Sequence, residues 1–268
     1  DDHLSNSFRQ LALIRALGWP EPVYAHIPMI LGPDGAKLSK RHGALGVEVY
    51  RDELGILPEA LENYLLRLGW GHGDTELIDR AEAIRLFDLD GVGRSPSRFD
   101  MKKLEHVNAH YLKLADDARL AALVAPRMAD SIGRQLHGRE AGLLLRSMPE
   151  LKTRAKNLNE LAKSALYVVC DRPIAMDEAA AKLLDRAGRD LLREARDSFA
   201  RIDRWEREAL EQAAKSVAEA RSVGLGKVAG PIRAALTGMT TSPSVFAIME
   251  TLGQEESMGR IDDALNRE

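Results

Sequence analysis

Among the 268 residues there is one cysteine, Cys170, which excludes an internal disulfide and any cysteine-based zinc site within the chain. It sits in the apolar run Ala165-Leu166-Tyr167-Val168-Val169-Cys170 and reads as a buried small hydrophobe rather than a reactive thiol. Aromatic residues are scarce, at 5%. Strands favour aromatic and β-branched side chains, so their scarcity beside abundant Ala, Leu, Arg and Glu points to helices. No apolar run is long enough to span a membrane and no signal peptide is visible, so the expected location is the cytosol, without membrane contact. An excess of positive charge is also missing. The net charge of −3 argues against a generally basic nucleic-acid binder, while leaving room for a local basic stripe. The first residue is Asp1 rather than Met, and helical patterning begins at once, as expected for a piece of something longer.

Helical periodicity opens the chain. Phe8, Leu11, Leu13, Ile14 and Leu17 share one face between Ser7 and Leu17, and Gly18 stops the pattern. Val23 to Leu31 predicts a short buried strand, with Pro28 marking an edge or end. Gly32-Pro33-Asp34-Gly35 then signals a turn. Helix, strand and glycine turn match the last βα unit of a nucleotide-binding fold, although the pattern alone does not decide it. Beyond Val47 nearly everything is helical. Pro58 stands near the first turn of a helix whose inner face is expected to carry Leu61, Tyr64, Leu65 and Leu68. Further helices are expected through Ile84 and Phe87, and after Arg94-Ser95-Pro96 through Phe99, Leu104 and Val107. Others lie between about residues 115 and 200, over Trp205–Ala220, and around Ile232 and Phe246.

Chemistry concentrates in Lys37-Leu38-Ser39-Lys40-Arg41, directly after the glycine turn. Two lysines three apart on a loop can bring ammonium groups to a polyphosphate, and Ser39 can add a hydroxyl. Cations placed where charge develops on departing pyrophosphate act most strongly in the transition state. By itself such a cluster also describes an ordinary solvated loop.

The surrounding blocks are more specific. Asp2-His3-Leu4-Ser5-Asn6 with Arg9-Gln10, then His26 to Leu31 and Gly32 to Ala44, resemble bacterial glutamyl-tRNA synthetases, and Lys37–Arg41 is similar to the KMSKS signature of class I synthetases. The resemblance continues through Leu57-Pro58-Glu59-Ala60, Asn63-Tyr64-Leu65, Leu68-Gly69-Trp70, Arg94-Ser95-Pro96, Phe99-Asp100 and Lys102-Lys103-Leu104. It ends in Pro231 to Gly238 and Ser242-Pro243, so it covers essentially the whole chain.

What the resemblance implies is a mainly α fold. A truncated Rossmann-like catalytic remnant (1–45) would precede a stem-contacting helical segment (46–118) and an α-helical anticodon-binding domain in two parts (119–177 and 178–268). It implies a parent enzyme that uses ATP and Mg2+ to activate L-glutamate and esterify it onto tRNA(Glu), with tRNA(Gln) an open alternative. The expected state is a monomer, with no protein-ligated metal in this chain. By resemblance, Lys40 holds the pyrophosphate part of ATP, with Lys37 and Ser39 shaping the loop, and the backbone near Met29 and Ile30 lies against adenine. Arg154 and Arg233 fall on the positions that read the anticodon. The HIGH signature and the glutamate-binding residues are expected upstream of Asp1, so the chain alone is expected to be catalytically inactive.

Arginine forks suit a single-stranded RNA loop, whose splayed bases expose hydrogen-bonding edges. Arg154 stands between Lys152 and Lys156 in a cationic stretch before a helix, and Arg233 follows Pro231 at an expected helix start; plain surface charge is the competing reading of both. Arg94, Arg98, Lys102 and Lys103 could follow an RNA stem backbone, while Ser95 or Ser97 could equally be a helix N-cap. His42 abuts the signature loop; His72, His106 and His110 have no metal-like partner set and receive no function. Trp70 and Trp205 read as core anchors, and Glu206–Arg221 as a solvated helix face. Outside this family, the alternatives are an α-helical protein-interaction module with a fortuitous loop, or a different ATP-binding enzyme. The second would need a phosphate-gripping G-x-x-x-x-G-K-[ST] loop, which the sequence lacks.

Overall fold

In the computed structural model, residues 2–38 and 46–267 are described. The chain divides into two compact units, residues 1–111 and 112–268, the division falling inside a helix. Helices dominate, as the composition predicts, and the second unit contains no strand among its described residues.

The first unit begins with α1 (Leu4–Ala16). Its expected apolar face exists but none of it is buried: Phe8, Leu13 and Leu17 are exposed. The expected strand over 23–31 shrinks to β1 (Ile30–Leu31), which pairs in parallel with β2 (Ser97–Arg98). Pro28 has no N–H to give a ladder, Val23 is fully exposed, and β2 is long enough to satisfy only two residues.

Among the described residues α2 (Val47–Asp52), α3 (Pro58–Gly69) and α4 (Arg80–Leu86) follow, and α5 (Met101–Leu114) runs across the division. Pro58 starts α3, where its missing N–H costs nothing. Its buried face is Ala60, Leu61, Asn63 and Tyr64, so Leu61 and Tyr64 face inward as expected, whereas Leu65 is exposed and Leu68 only half-buried. Two buried asparagines tie the loops to the helices. Asn108 Oδ1 accepts from the Leu57 N–H at 2.8 Å, serving the start of α3. Asn63 accepts from the Ile78 N–H and the Tyr111 hydroxyl and donates to the Glu76 carbonyl. Phe99 does not belong to α5 but packs edge-on against Tyr64, whose hydroxyl accepts from the Asp100 N–H at 2.6 Å. The cap of α5 is Asp100, not Ser95 or Ser97: its carboxylate accepts from the N–H groups of Lys102 and Lys103. Trp70 is buried, as expected, and donates to the Asp88 carbonyl.

In the second unit, α6 (Asp117–Ile132) packs against α7 (Gly138–Leu151) and α8 (Leu158–Ala165), which runs into a 3-10 turn at Leu166–Val168. After the short α9 (Glu178–Ala181), α10 (Arg186–Phe199), α11 (Arg207–Ala220), α12 (Leu225–Thr237), α13 (Val245–Leu252) and α14 (Gln254–Leu265) follow. Helix α12 is central and touches α10, α11, α13 and α14. Its Val228, Gly230, Ile232, Ala234, Ala235 and Leu236 are all buried, and Gly230 leaves room for the Leu183 side chain. Leu210, Ala214, Val217 and Ala218 form the buried stripe of α11, leaving a solvated opposite face. Trp205 is half-buried with its indole donating to the Met249 carbonyl. Cys170 is half-buried too; burial raises its thiol pKa, which keeps it protonated and unreactive.

Candidate functional site

Two groups of expected site residues are placed, one in each unit. In the first unit, β1 continues into a hairpin. The Leu38 N–H donates to Ile30 O, Leu31 bridges Lys37, and the turn closes through Gly32 and Gly35. Gly35 has φ +79°, a left-handed conformation that side chains resist, and the Arg98 guanidinium lies 3.3 Å from where a Cβ would stand. Asp34 accepts from the Ala36 N–H and holds the bend. This hairpin aims Lys37 into a cleft of about 570 Å³ lined by Met29, Ile30, Tyr24, His26, Asp2 and His3, among others. The Tyr24 and His26 rings stack at 6.5 Å. Lys37 forms an ion pair with Asp2, which holds that carboxyl below its ordinary range. Met29, Ile30 and Lys37 are therefore brought together. Ser39, Lys40 and His42 lie outside the described residues.

In the second unit, Arg154 and Arg233 come from segments 79 positions apart in sequence and converge on Ser242. Arg154 lies in the link between α7 and α8. Lys152 caps the end of α7, and Asn157 accepts from the Glu160 N–H to start α8. The expected cationic stretch is broken by Lys152, which turns inward to Asp117 at 2.7 Å and to the Ala115 carbonyl. Arg233 is not at a helix start. Helix α12 begins six residues before Pro231, and Arg233 occupies its third turn. Pro231 is an interior proline whose missing N–H leaves the Lys227 carbonyl without its helical donor.

On a helix otherwise buried nearly all round, Arg233 is half-buried. Its Nε donates to Ser242 Oγ at 3.0 Å, and that hydroxyl donates onward to the Pro243 carbonyl at 2.9 Å. The carbonyl of Ser242 accepts from Arg154 Nη1 at 3.2 Å. Among the described residues no carboxylate pairs with either guanidinium. Burial lowers the Arg233 pKa, and the neighbouring positive charge of Arg154 lowers it further. A half-buried cation and an exposed one, held side by side by neutral oxygens, form a site for a ligand rich in acceptors, such as a phosphate or a base edge. Sequence reasoning named both arginines but gave Ser242 no role; its only signal was its place in the Ser242-Pro243 block.

Comparison with known proteins gives the same division of the chain. A family model described as "tRNA synthetases class I (E and Q), catalytic domain" matches residues 1–106, and one described as "Anticodon binding domain" matches residues 103–265. The chain is 63% identical over 265 residues to "Glutamate--tRNA ligase 2" of Rhizorhabdus wittichii, covering 99% of this chain and 56% of that protein. It is 57% identical over 266 residues to the "Glutamate--tRNA ligase 2" of Zymomonas mobilis, covering 99% and 55%. A crystal structure of a glutamate tRNA ligase from Elizabethkingia meningosepticum, in complex with its amino acid, aligns with TM-score 0.78 at 28% identity over 98% of this chain and 55% of that one. The chain thus spans about half the length of the curated relatives it matches. It belongs to the glutamate–tRNA ligase family of class I tRNA synthetases and carries part of the catalytic domain together with the anticodon binding domain.

Proposed function

We propose that this chain is the tRNA-reading part of an ATP-dependent glutamate–tRNA ligase, and that Arg154 and Arg233 read the anticodon of tRNA(Glu). The observation that carries this reading is the convergence of two guanidiniums on Ser242 without a carboxylate to neutralise either. Like charges set side by side, with Arg233 half-buried and Arg154 at the surface, cost stability unless a partner of opposite charge arrives, and an RNA loop supplies phosphates and base acceptors together. Division into a catalytic part (1–45), a stem-contacting part (46–118) and two anticodon subdomains meeting near residue 178 belongs to the same proposal. So do the stem contacts of Arg94, Arg98, Lys102 and Lys103.

In the first unit the cleft fits an adenine nucleotide. Ile27, Pro28, Met29 and Ile30 give an apolar wall, and Lys37 stands at the same cleft beside Asp2, ready to exchange that carboxylate for a phosphate. ATP, when bound, supplies the anhydride whose pyrophosphate leaves as glutamate is activated. Lys37 would hold positive charge where the leaving oxygens become more negative; the resemblance gives Lys40 the main part in this and Ser39 a hydroxyl, both outside the described residues. Among the described residues no cluster of His, Cys, Asp or Glu could hold a metal ion. The resemblance implies Mg2+ for the parent enzyme, where it would accompany the nucleotide phosphates.

Titration of this chain with tRNA(Glu), with tRNA(Gln) and with tRNA(Glu) carrying a substituted anticodon, all at one stated salt concentration, tests the reading. Native tRNA(Glu) should bind about tenfold or more tightly than the substituted form, a preference of about 1.4 kcal/mol that Arg233→Ala should abolish. Equal affinity for both would reduce the interaction to charge attraction. No binding at all would favour the α-helical interaction module.

A further inference from the structure

We propose that Ser242 is a positioning residue for anticodon discrimination: its hydroxyl fixes Arg233 by the Nε edge so that the two terminal nitrogens face the RNA. This inference rests on the anticodon reading above. A guanidinium has five N–H donors in a fixed plane, and bidentate recognition of a base uses two parallel donors on one edge. When Ser242 Oγ takes Nε at 3.0 Å, Nη1 and Nη2 of Arg233 remain without a protein partner among the described residues. The serine cannot swing freely, because its own O–H is committed to the Pro243 carbonyl at 2.9 Å and Pro243 is buried. Arg233 is in turn held at its root. Its helix is buried on nearly every other side, and its own carbonyl accepts from the Thr237 hydroxyl at 2.8 Å.

Ser242 also works twice. Its main-chain carbonyl takes Arg154 Nη1, so one residue sets the spacing of both forks. The two contacts are chemically separable: a side-chain substitution removes only the hydroxyl and leaves the Arg154 contact to the backbone. The fitting ligand edge presents two acceptors side by side. An arginine free to rotate would still attract RNA through its charge, but it would pay more ordering entropy and tolerate more base edges.

Thermodynamic coupling in the titration decides the matter. The isosteric pair Ser242→Thr and Ser242→Val, one keeping the hydroxyl and the other replacing it with a methyl, is measured beside Arg233→Ala and the double variant with Ser242→Val. The ratio of affinities for tRNA(Glu) and its anticodon-substituted form should fall about tenfold in Ser242→Val. It should stay near the native value in Ser242→Thr, and Ser242→Val should cause no further loss in the Arg233→Ala background. Affinity for the substituted RNA should stay nearly constant in the two Ser242 variants, whereas Arg233→Ala should weaken it modestly through the lost charge. Native discrimination in Ser242→Val would overturn the proposal, as would losses that multiply independently in the double variant, since a merely structural hydroxyl gives that result. If Arg233→Ala itself leaves discrimination intact, the anticodon reading fails first.

Discussion

Arg260 offers the sharpest test of how the second unit holds together. It is 2% exposed on α14, with Glu256 one turn earlier at 2.6 Å from its Nε. Nη1 donates to the carbonyls of Tyr167 (2.9 Å) and Leu236 (2.8 Å), and Nη2 to that of Cys170 (3.2 Å). Tyr167 lies in a 3-10 turn and Leu236 in the last turn of α12, so two of these carbonyls stand at helix ends, where partial negative charge gathers. Arg260→Ala would strand three carbonyls and a carboxylate that is only 23% exposed. Removing one partner of a buried pair costs about 3–5 kcal/mol, and solvent in the adjoining cleft of about 300 Å³ keeps the loss from rising further. With a urea slope of about 2 kcal/mol/M, the unfolding midpoint should fall by about 2 M. Trp205, the tryptophan of this unit, and far-UV circular dichroism give two readouts. Arg260→Lys should recover part of the loss, because an ammonium keeps the charge but cannot span three directions with a planar fork. Arg260→Met matching the native midpoint would refute the argument, since it would show that the carbonyls need no donor.

Two further perturbations probe the same unit. Gly238 ends α12 with φ +70°, and a Cβ there would stand 1.9 Å from the Ala175 carbonyl oxygen; Gly133 ends α6 with φ +71° and open space around it. Gly133→Ala should therefore cost only the left-handed penalty of about 1–2 kcal/mol. Gly238→Ala should cost about 3 kcal/mol through added overpacking, and equal shifts in thermal midpoint would contradict the difference. Glu140 accepts from Arg134 at 2.7 Å and from the His137 N–H, which lower its pKa from 4.5 to about 2. The unfolded chain then binds more protons between those values, so this contribution is fully present above pH 4.5 and is lost as pH falls towards 2. Glu140→Gln should flatten stability across that window, and an unchanged acid limb would rule the pair out as its cause.

Helix content and most helix positions were legible because they rest on local periodicity, which needs no partner to be seen. What escaped depends on distant partners. The apolar stripe of α1 is visible in sequence, but its exposure is not, because periodicity reports a face and says nothing of what covers it. β1 failed as a nine-residue strand because strand length is set by the partner, and β2 offers two residues. Arg233 was misplaced at a helix start because Gly224, Gly226 and Gly230 look like a turn before Pro231. In the structure Gly224 is the N-cap and Gly226 stands exposed in the first turn, while Gly230 is buried, so the burial of the helix's other residues is the tertiary reason that overrides propensity. Asp100 caps α5 where the sequence reading offers the nearby serines, although both residue types cap well.

The arginines of the second unit suggest why the candidate site is built from neutral oxygens. Arg172, Arg196 and Arg221 each close on a carboxylate, of Asp263, Asp262 and Glu194, and so spend their charge inside the protein. Arg154 and Arg233 are steered by a serine instead. A carboxylate at that position would orient the guanidiniums equally well, but it would cancel the charge an RNA must find and repel the phosphates that accompany each base. A hydroxyl and a carbonyl orient without neutralising. The cost is visible in Arg233, whose charged form is disfavoured by burial and by its cationic neighbour. Introducing Ser242→Asp should relieve that strain and raise stability while weakening RNA binding. A variant that gained both would show that the uncancelled charge has no part in recognition.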